Sequence, residues 1–219
     1  MKNKLIHNYK KVISSIPKSV TLVAVSKTKP KKDIELLYSE GQRIFGENRV
    51  EELVDKYDNL PKDIKWHMIG HLQSKKVKKI APFISLIHSV DSFKLLKEID
   101  KQAKKNDRII NCLLQFHIAE EESKYGLSLK MGLNMIKSTE FQSLNSINIE
   151  GVMGMATFTD DIEQIRAEFK KLKKISNTIQ QNLINTKEIS MGMSGDYHTA
   201  IEEGSTIIRI GSTLFGARN

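Results

Sequence analysis

Apolar residues in this chain fall into two alternating patterns. Short unbroken apolar runs, of the kind a strand buried on both faces requires, alternate with segments whose apolar residues recur at three- and four-residue spacing, the mark of an amphipathic helix. A leading helix spans 5–16, with Leu5, Tyr9, Val12, Ile13 and Ile16 on one side and Pro17 as its stop. The clearest strand follows, Val20-Thr21-Leu22-Val23-Ala24-Val25, interrupted only by a threonine. Further helices are predicted over 33–40, 48–57, 74–80, 128–138, 160–183 and 196–203, and a long one runs to Lys105 behind the capping pair Asp91-Ser92. The remaining strands are predicted at 43–47, 64–69, 86–90, 109–118, 147–156, 187–192 and 205–210, the sixth of them interrupted at Gly151 and Gly154.

The count is eight strands, beginning near residues 20, 43, 64, 86, 109, 147, 187 and 205, with a helical segment between each successive pair. That alternation predicts an α/β fold, a single (β/α)8 TIM barrel with a leading N-terminal helix. A doubly wound open sheet is the alternative, but no G-x-G-x-x-G follows the first strand, and Ser26-Lys27-Thr28 stands where a dinucleotide loop would be. With 219 residues and no linker, repeat or low-complexity stretch, one domain over 1–219 is expected.

Composition changes the picture only in part. The net charge of +9 raises nucleic-acid binding, with Lys75, Lys76, Lys78 and Lys79 as the densest cluster. Against it, lysines alternate with acids along 94–101 and no aromatics interleave with the cluster, so the basic residues read as solvated helix faces. A salt-dependent gel shift would detect RNA recognition if it occurred. The single cysteine, Cys112, lies in an apolar run and fits a buried small hydrophobe in a reducing compartment. The N-terminal segment lacks the apolar core of a signal peptide and no stretch approaches the ~20 apolar residues of a membrane span. A cytoplasmic protein without membrane contact is expected.

In a barrel the reactive groups gather at the carboxyl ends of the strands. Those ends read Lys27, Glu47-Asn48, 67–71, His88-Ser89, 115–117, Met155-Ala156, 190–194 and 209–213. Lys27 follows an apolar strand, and an ammonium above an apolar floor loses part of its hydration and its proton affinity, so the amine can attack an aldehyde. An ordinary snorkelling lysine reads the same way. Two ends suit an anion: 191–196 and 210–213 offer glycines, hydroxyls and free amides at the usual phosphate corner of strands seven and eight. Arg209 shares a strand face with Gly211 and would face a ligand held between Lys27 and that corner. His67 and His71 have zinc spacing only on a helix, which Gly70 argues against, and no further ligands complete a metal site. Neither a G-x-S-x-G elbow nor a P-loop is present.

The motifs AVSKTKP, FGENRVEE, WHMIGHLQSKK, ESKYGL, GVMGMA, MGMSGDY and RIGSTLFGAR, in that order, resemble the pyridoxal phosphate homeostasis proteins, a family similar to the barrel domain of alanine racemase. The resemblance covers nearly the whole chain, from Val20 to Arg218. It implies pyridoxal 5'-phosphate as cofactor, with Lys27 forming the internal aldimine. It also implies Ser194, Gly211 and Ser212 as phosphate ligands, with Met193, Gly195 and Thr213 beside them, and Arg209 next to the pyridine nitrogen. Asn48, His67 and Met155 would line the ring and the mouth. One position departs from the family: strand five ends Gln115-Phe116-His117 where a Val-Asn pair is usual, so His117 occupies the asparagine site and no contact is carried over there.

The resemblance implies a non-catalytic carrier that buffers or delivers the cofactor, with PLP-dependent apo-enzymes as recipients and a monomer as its state. Amino-acid racemization is the alternative. It needs a second acid or base on the opposite face of the substrate, which in alanine racemase comes from a C-terminal domain; this sequence stops at Asn219, so racemization is expected to be slow at best.

Overall fold

The computed structural model of the protein describes residues 2–121 and 125–216. Its strands are β1 (Thr21–Val25), β2 (Ile44–Glu47), β3 (Lys65–Met68), β4 (Leu86–Val90), β5 (Ile110–Gln115), β6 (Ile147–Met153), β7 (Glu188–Ser190) and β8 (Ile207–Ile210). They pair in parallel in chain order, and β8 returns to β1, giving the closed barrel expected from the sequence. Closure rests on four registered positions, Thr21↔Ile207, Leu22↔Ile208, Val23↔Arg209 and Ala24↔Ile210.

Helices wrap the outside: α1 (Lys2–Ser15), α2 (Lys31–Ser39), α3 (Val50–Asn59), α4 (Val77–Ile80), α5 (Phe93–Lys105), α6 (Leu129–Ile136), α7 (Thr139–Gln142), α8 (Ile162–Gln180), α9 (Tyr197–Glu202) and α10 (Ser212–Phe215). The leading helix α1 buries Leu5, Tyr9 and Val12 and packs against α2 and α10. Side chains alternate across each strand, and the alternation divides the apolar residues into two cores. Leu22, Ala24, Phe45, Trp66 and Met68 point outward under the helices, whereas Val23, Leu86, Leu113, Met153 and Ile207 fill the barrel itself. The interior is therefore packed, as in other barrels of this size.

Three local expectations are corrected. The sixth strand ends before Gly154 as expected but runs on through Gly151, which pairs with Leu113 on one side and Glu188 on the other; the irregularity there is only a register shift against β5 between Ile149 and Gly151. A Cβ there would lie 1.8 Å from the Glu188 carbonyl oxygen, so the glycine allows the strands to approach. The segment 128–138 forms α6 as expected, and a further short helix, α7, follows it where the Ser138 hydroxyl accepts the Phe141 amide hydrogen. The segment 74–80 opens with a 3-10 turn, Ser74–Lys76, before α4. In α8 the face formed by Ile165, Phe169, Leu172, Ile175 and Ile179 is buried as expected, but Ile162 at its first turn is exposed. Among the described residues no helix is long and apolar enough to cross a membrane.

Substituting Gly151→Ala should cost at least about 3 kcal/mol or prevent soluble folding, because the backbone of β7 cannot yield without breaking its ladder. Gly195→Ala, whose Cβ meets nothing within 4 Å, should be nearly neutral, and urea titration of both variants measures the contrast.

Candidate functional site

The carboxyl ends of β1, β2, β6, β7 and β8 open into one cavity of about 410 Å³. It brings together Lys27, Asn48 and Met155 with Ser194, Arg209, Gly211 and Ser212, seven of the eight residues singled out in the sequence. Lys27 is half-buried, and Val25 and Ile69 form the apolar floor beside it.

The anion corner forms where the β7 and β8 loops meet. Ser194 Oγ accepts the amide hydrogens of Gly211 at 3.1 Å and Thr213 at 3.3 Å, so backbone donors from one loop converge on the hydroxyl of the other. The Thr213 hydroxyl donates back to the Ser194 carbonyl at 3.4 Å. Gly192 turns the first loop at φ +95°, where a Cβ would also lie 2.6 Å from that of Ala200. Asp196 fixes the loop by accepting the Met193 amide, and burial raises its pKa against the opposing pull of that bond and of Arg209.

Arg209 reaches inward from β8 and is buried. It donates to Ser190 Oγ at 2.6 Å and to the Gly154 carbonyl at 3.2 Å. Burial lowers its pKa to about 10, with Asp196 acting in the other direction, so it stays cationic at neutral pH. Ser190 Oγ also lies 2.9 Å from His88 Nδ1, and His88 Nε2 lies 2.9 Å from His67 Nδ1.

His67 is therefore not at the mouth as expected. It points into the barrel along β3, on the same side as Ile69 but one layer deeper, and it is not among the residues lining the cavity. Burial, helped by Lys65, holds its pKa near 3, and burial together with His67 and Arg209 holds His88 well below the usual value. Both rings are neutral at physiological pH. His71 turns elsewhere, 3.0 Å from Asp91 Oδ2 and stacked on Tyr125. Among the described residues no three potential ligands gather as a metal site. His117 is occupied locally, 2.9 Å from the Glu121 carbonyl.

Sequence reasoning missed the loop after β6, where Thr157, Phe158, Thr159 and Asp160 line the cavity, and it missed Lys29. Their only sequence signal was proximity to a strand end already flagged. Of the motif ESKYGL, Glu122, Ser123 and Lys124 lie outside the described residues.

The cavity fits a phosphorylated ring bearing a carbonyl: donors at one end, an amine at the other, and apolar side chains between. Asn48 Oδ1 is buried without a hydrogen-bond partner, an atom left for a ligand or water to satisfy. Fold and site together define a (β/α)8 barrel whose mouth holds, on one cavity, the lysine that follows β1 and the loops after β7 and β8. The sequence matches the family described as alanine racemase, N-terminal domain, over residues 2–219. It is 38% identical over 216 residues to the pyridoxal phosphate homeostasis protein of Synechocystis, covering 96% of this chain and 97% of that one. The Aquifex aeolicus protein of the same name is 38% identical over 200 residues, covering 90% and 86%. Among solved structures, PipY of Synechococcus elongatus with PLP bound superposes with a TM-score of 0.88 at 33% identity, over 97% of this chain and all of that one. Alanine racemase of Clostridium difficile shares the fold, with a TM-score of 0.82 at 14% identity over 99% of this chain and 60% of that one. The chain belongs to the alanine racemase N-terminal-domain family, on the branch of the pyridoxal phosphate homeostasis proteins.

The buried histidines give the protein a pH dependence. Folded His67 titrates near 3 and an unfolded histidine near 6.5, so between these values the unfolded chain binds a proton that the folded chain does not. Stability is thus retained above the unfolded value and lost as pH falls below it. At pH 5 the loss from His67 alone is about 2 kcal/mol. Urea midpoints at pH 7.5 and pH 5 measure it, and His67→Gln should flatten this part of the dependence.

Proposed function

We propose that the protein binds pyridoxal 5'-phosphate reversibly at the barrel mouth and buffers or delivers it, without catalytic turnover. The observation that carries this reading is the placing of Lys27 and the Ser194–Gly211–Ser212 corner on one cavity. When bound, the cofactor supplies an aldehyde that a lysine amine captures reversibly and a phosphate that anchors the ring. Lys27 is the amine. Ser194, Gly211 and Ser212 hold the phosphate, with Thr213 adding an amide, while Asn48 and Met155 flank the ring.

Arg209 stands beside the pyridine nitrogen. Its guanidinium donates hydrogen bonds but, with a pKa near 10, holds its protons too tightly to transfer one to the ring, and the neutral His88 and His67 behind Ser190 add no second charge. A ring left unprotonated is a weaker electron sink than one paired with a carboxylate, which disfavours transaminase-like chemistry. The names of the curated relatives and the PLP bound by the Synechococcus protein support the same reading. Within it, the protein is a cytoplasmic monomer of one domain over 1–219 whose recipients are PLP-dependent apo-enzymes.

Borohydride reduction in the presence of pyridoxal phosphate, followed by peptide mapping, should place the adduct on Lys27 and lose it in Lys27→Ala. An adduct on Lys29 or Lys75 with Lys27 unmodified overturns the assignment. In the same preparation, deuterium uptake at the α-carbon of alanine should not exceed that with free cofactor, whereas fast, saturable uptake abolished by Lys27→Ala would establish the racemase alternative. Arg209→Ala should leave the adduct in place, shift the absorbance of the bound cofactor and weaken its retention about tenfold, as expected for loss of a charged hydrogen bond. A variant that absorbs and retains cofactor as wild type does would make Arg209 purely structural.

A further inference from the structure

A second group of charged side chains lies behind β1, outside the cavity. Lys56 of α3 is 3% exposed, and its Nζ donates to three oxygens, Ser26 O, Glu47 Oε1 and Glu52 Oε1, each at 2.7 Å. An ammonium has three protons, and all are used. The Ser26 hydroxyl donates to Glu47 Oε1 at 2.6 Å, and the Thr28 amide donates to Glu52 Oε1 at 2.6 Å. The residues before and after Lys27 are thus both fastened by one network, while none of Ser26, Glu47, Glu52 or Lys56 lines the cavity.

The backbone shows what the fastening does. Thr28 has φ +64°, a region that a β-branched residue rarely adopts. Such a conformation costs free energy and persists only where its surroundings over-determine it. Here the Glu52 carboxylate holds the Thr28 amide from one side and Lys56 holds the Ser26 carbonyl from the other. The turn is also closed by the Lys29 amide donating to the Ser26 carbonyl at 3.0 Å; left with that bond alone, Thr28 would relax toward negative φ, turning the peptide that follows Lys27 and moving the start of its side chain. A network serving stability alone would not need to reach the amide of a strained residue beside the reactive lysine.

We propose that Glu47, Glu52 and Lys56 are positioning residues for Lys27, acting through the backbone of Ser26 and Thr28 to aim its amine at the phosphate corner. This rests on Lys27 being the residue that captures the cofactor. Glu52 is the member to test, because its side chain is 22% exposed and its removal leaves the Lys56–Glu47 pair in place.

The experiment compares the full-length wild type, Glu52→Ala, Thr28→Gly and the double variant. Pyridoxal phosphate is added, samples are quenched with borohydride over time, and the adduct on Lys27 is quantified by peptide mass spectrometry. Amide exchange over 26–28 is followed in the cofactor-free proteins, with urea midpoints as the control for folding. Glu52→Ala should slow labelling of Lys27 about tenfold or more and speed local exchange, in keeping with the strain at Thr28. Thr28→Gly in the same background should restore labelling to within about threefold of wild type, since glycine holds positive φ without penalty. A lowered urea midpoint with labelling at the wild-type rate overturns the proposal, as does failure of glycine to rescue. If wild type carries no adduct on Lys27, the functional reading itself has failed, and the exchange measurement alone then decides the network's role: unchanged exchange in Glu52→Ala overturns it.

Discussion

The ladder between β1 and β8 is the interaction on which this structure turns. Val23 is registered with Arg209 and Ala24 with Ile210, so the end of the first strand and the end of the last finish at the same height. Gly211 comes to rest against Val25, 3.5 Å from where its missing Cβ would be. Lys27 therefore emerges beside the loops that carry Gly211 and Ser212, although nearly the whole chain separates them. An open sheet from the same strands would leave these groups on opposite edges. Closure also removes both edges, so every strand has two partners and the short ladders reinforce one another.

The polar layer inside the barrel is arranged to keep one charge and exclude others. Arg209 is held by Ser190 and the Gly154 carbonyl, and the two histidines in line behind Ser190 stay neutral because hydration of an imidazolium is unavailable there. Arg209 thus stands on the wall of the cavity as a fixed cation. The same burial makes acid the weak flank of the fold, since protonating these imidazoles favours the unfolded chain.

Behind β1 the balance is different. Burying Lys56 with Glu47 forfeits hydration of both, and burial raises the Glu47 pKa although Lys56 and the Ser26 hydroxyl oppose it. Removing one partner of such a buried pair costs about 3–5 kcal/mol, whereas replacing both with apolar groups is often neutral. The pair therefore makes little case as a source of stability. What distinguishes it is direction: its donors and acceptors end on the backbone either side of Lys27, joining the rigidity of α3 to the placement of a single amine.

The sequence by itself determined the eight strands, their alternation with helices, and the strand ends where reactive groups had to lie, because apolar periodicity and turn residues are local properties. It pointed to Lys27, Asn48, Met155, Ser194, Arg209, Gly211 and Ser212, partly through strand-end position and partly through motif resemblance. Depth within the barrel was not legible. His67 and Ile69 have the same parity on β3, yet only Ile69 reaches the cavity, because the height of a residue depends on the stagger between strands. Gly151 was read as an interruption because the approach of β7 to within 1.8 Å of its absent Cβ is a contact across strands. Nor could spacing alone show that the i,i+4 pair Glu52 and Lys56 meets Glu47 behind Ser26, since that meeting is made by the packing of α3 on β2 and β3.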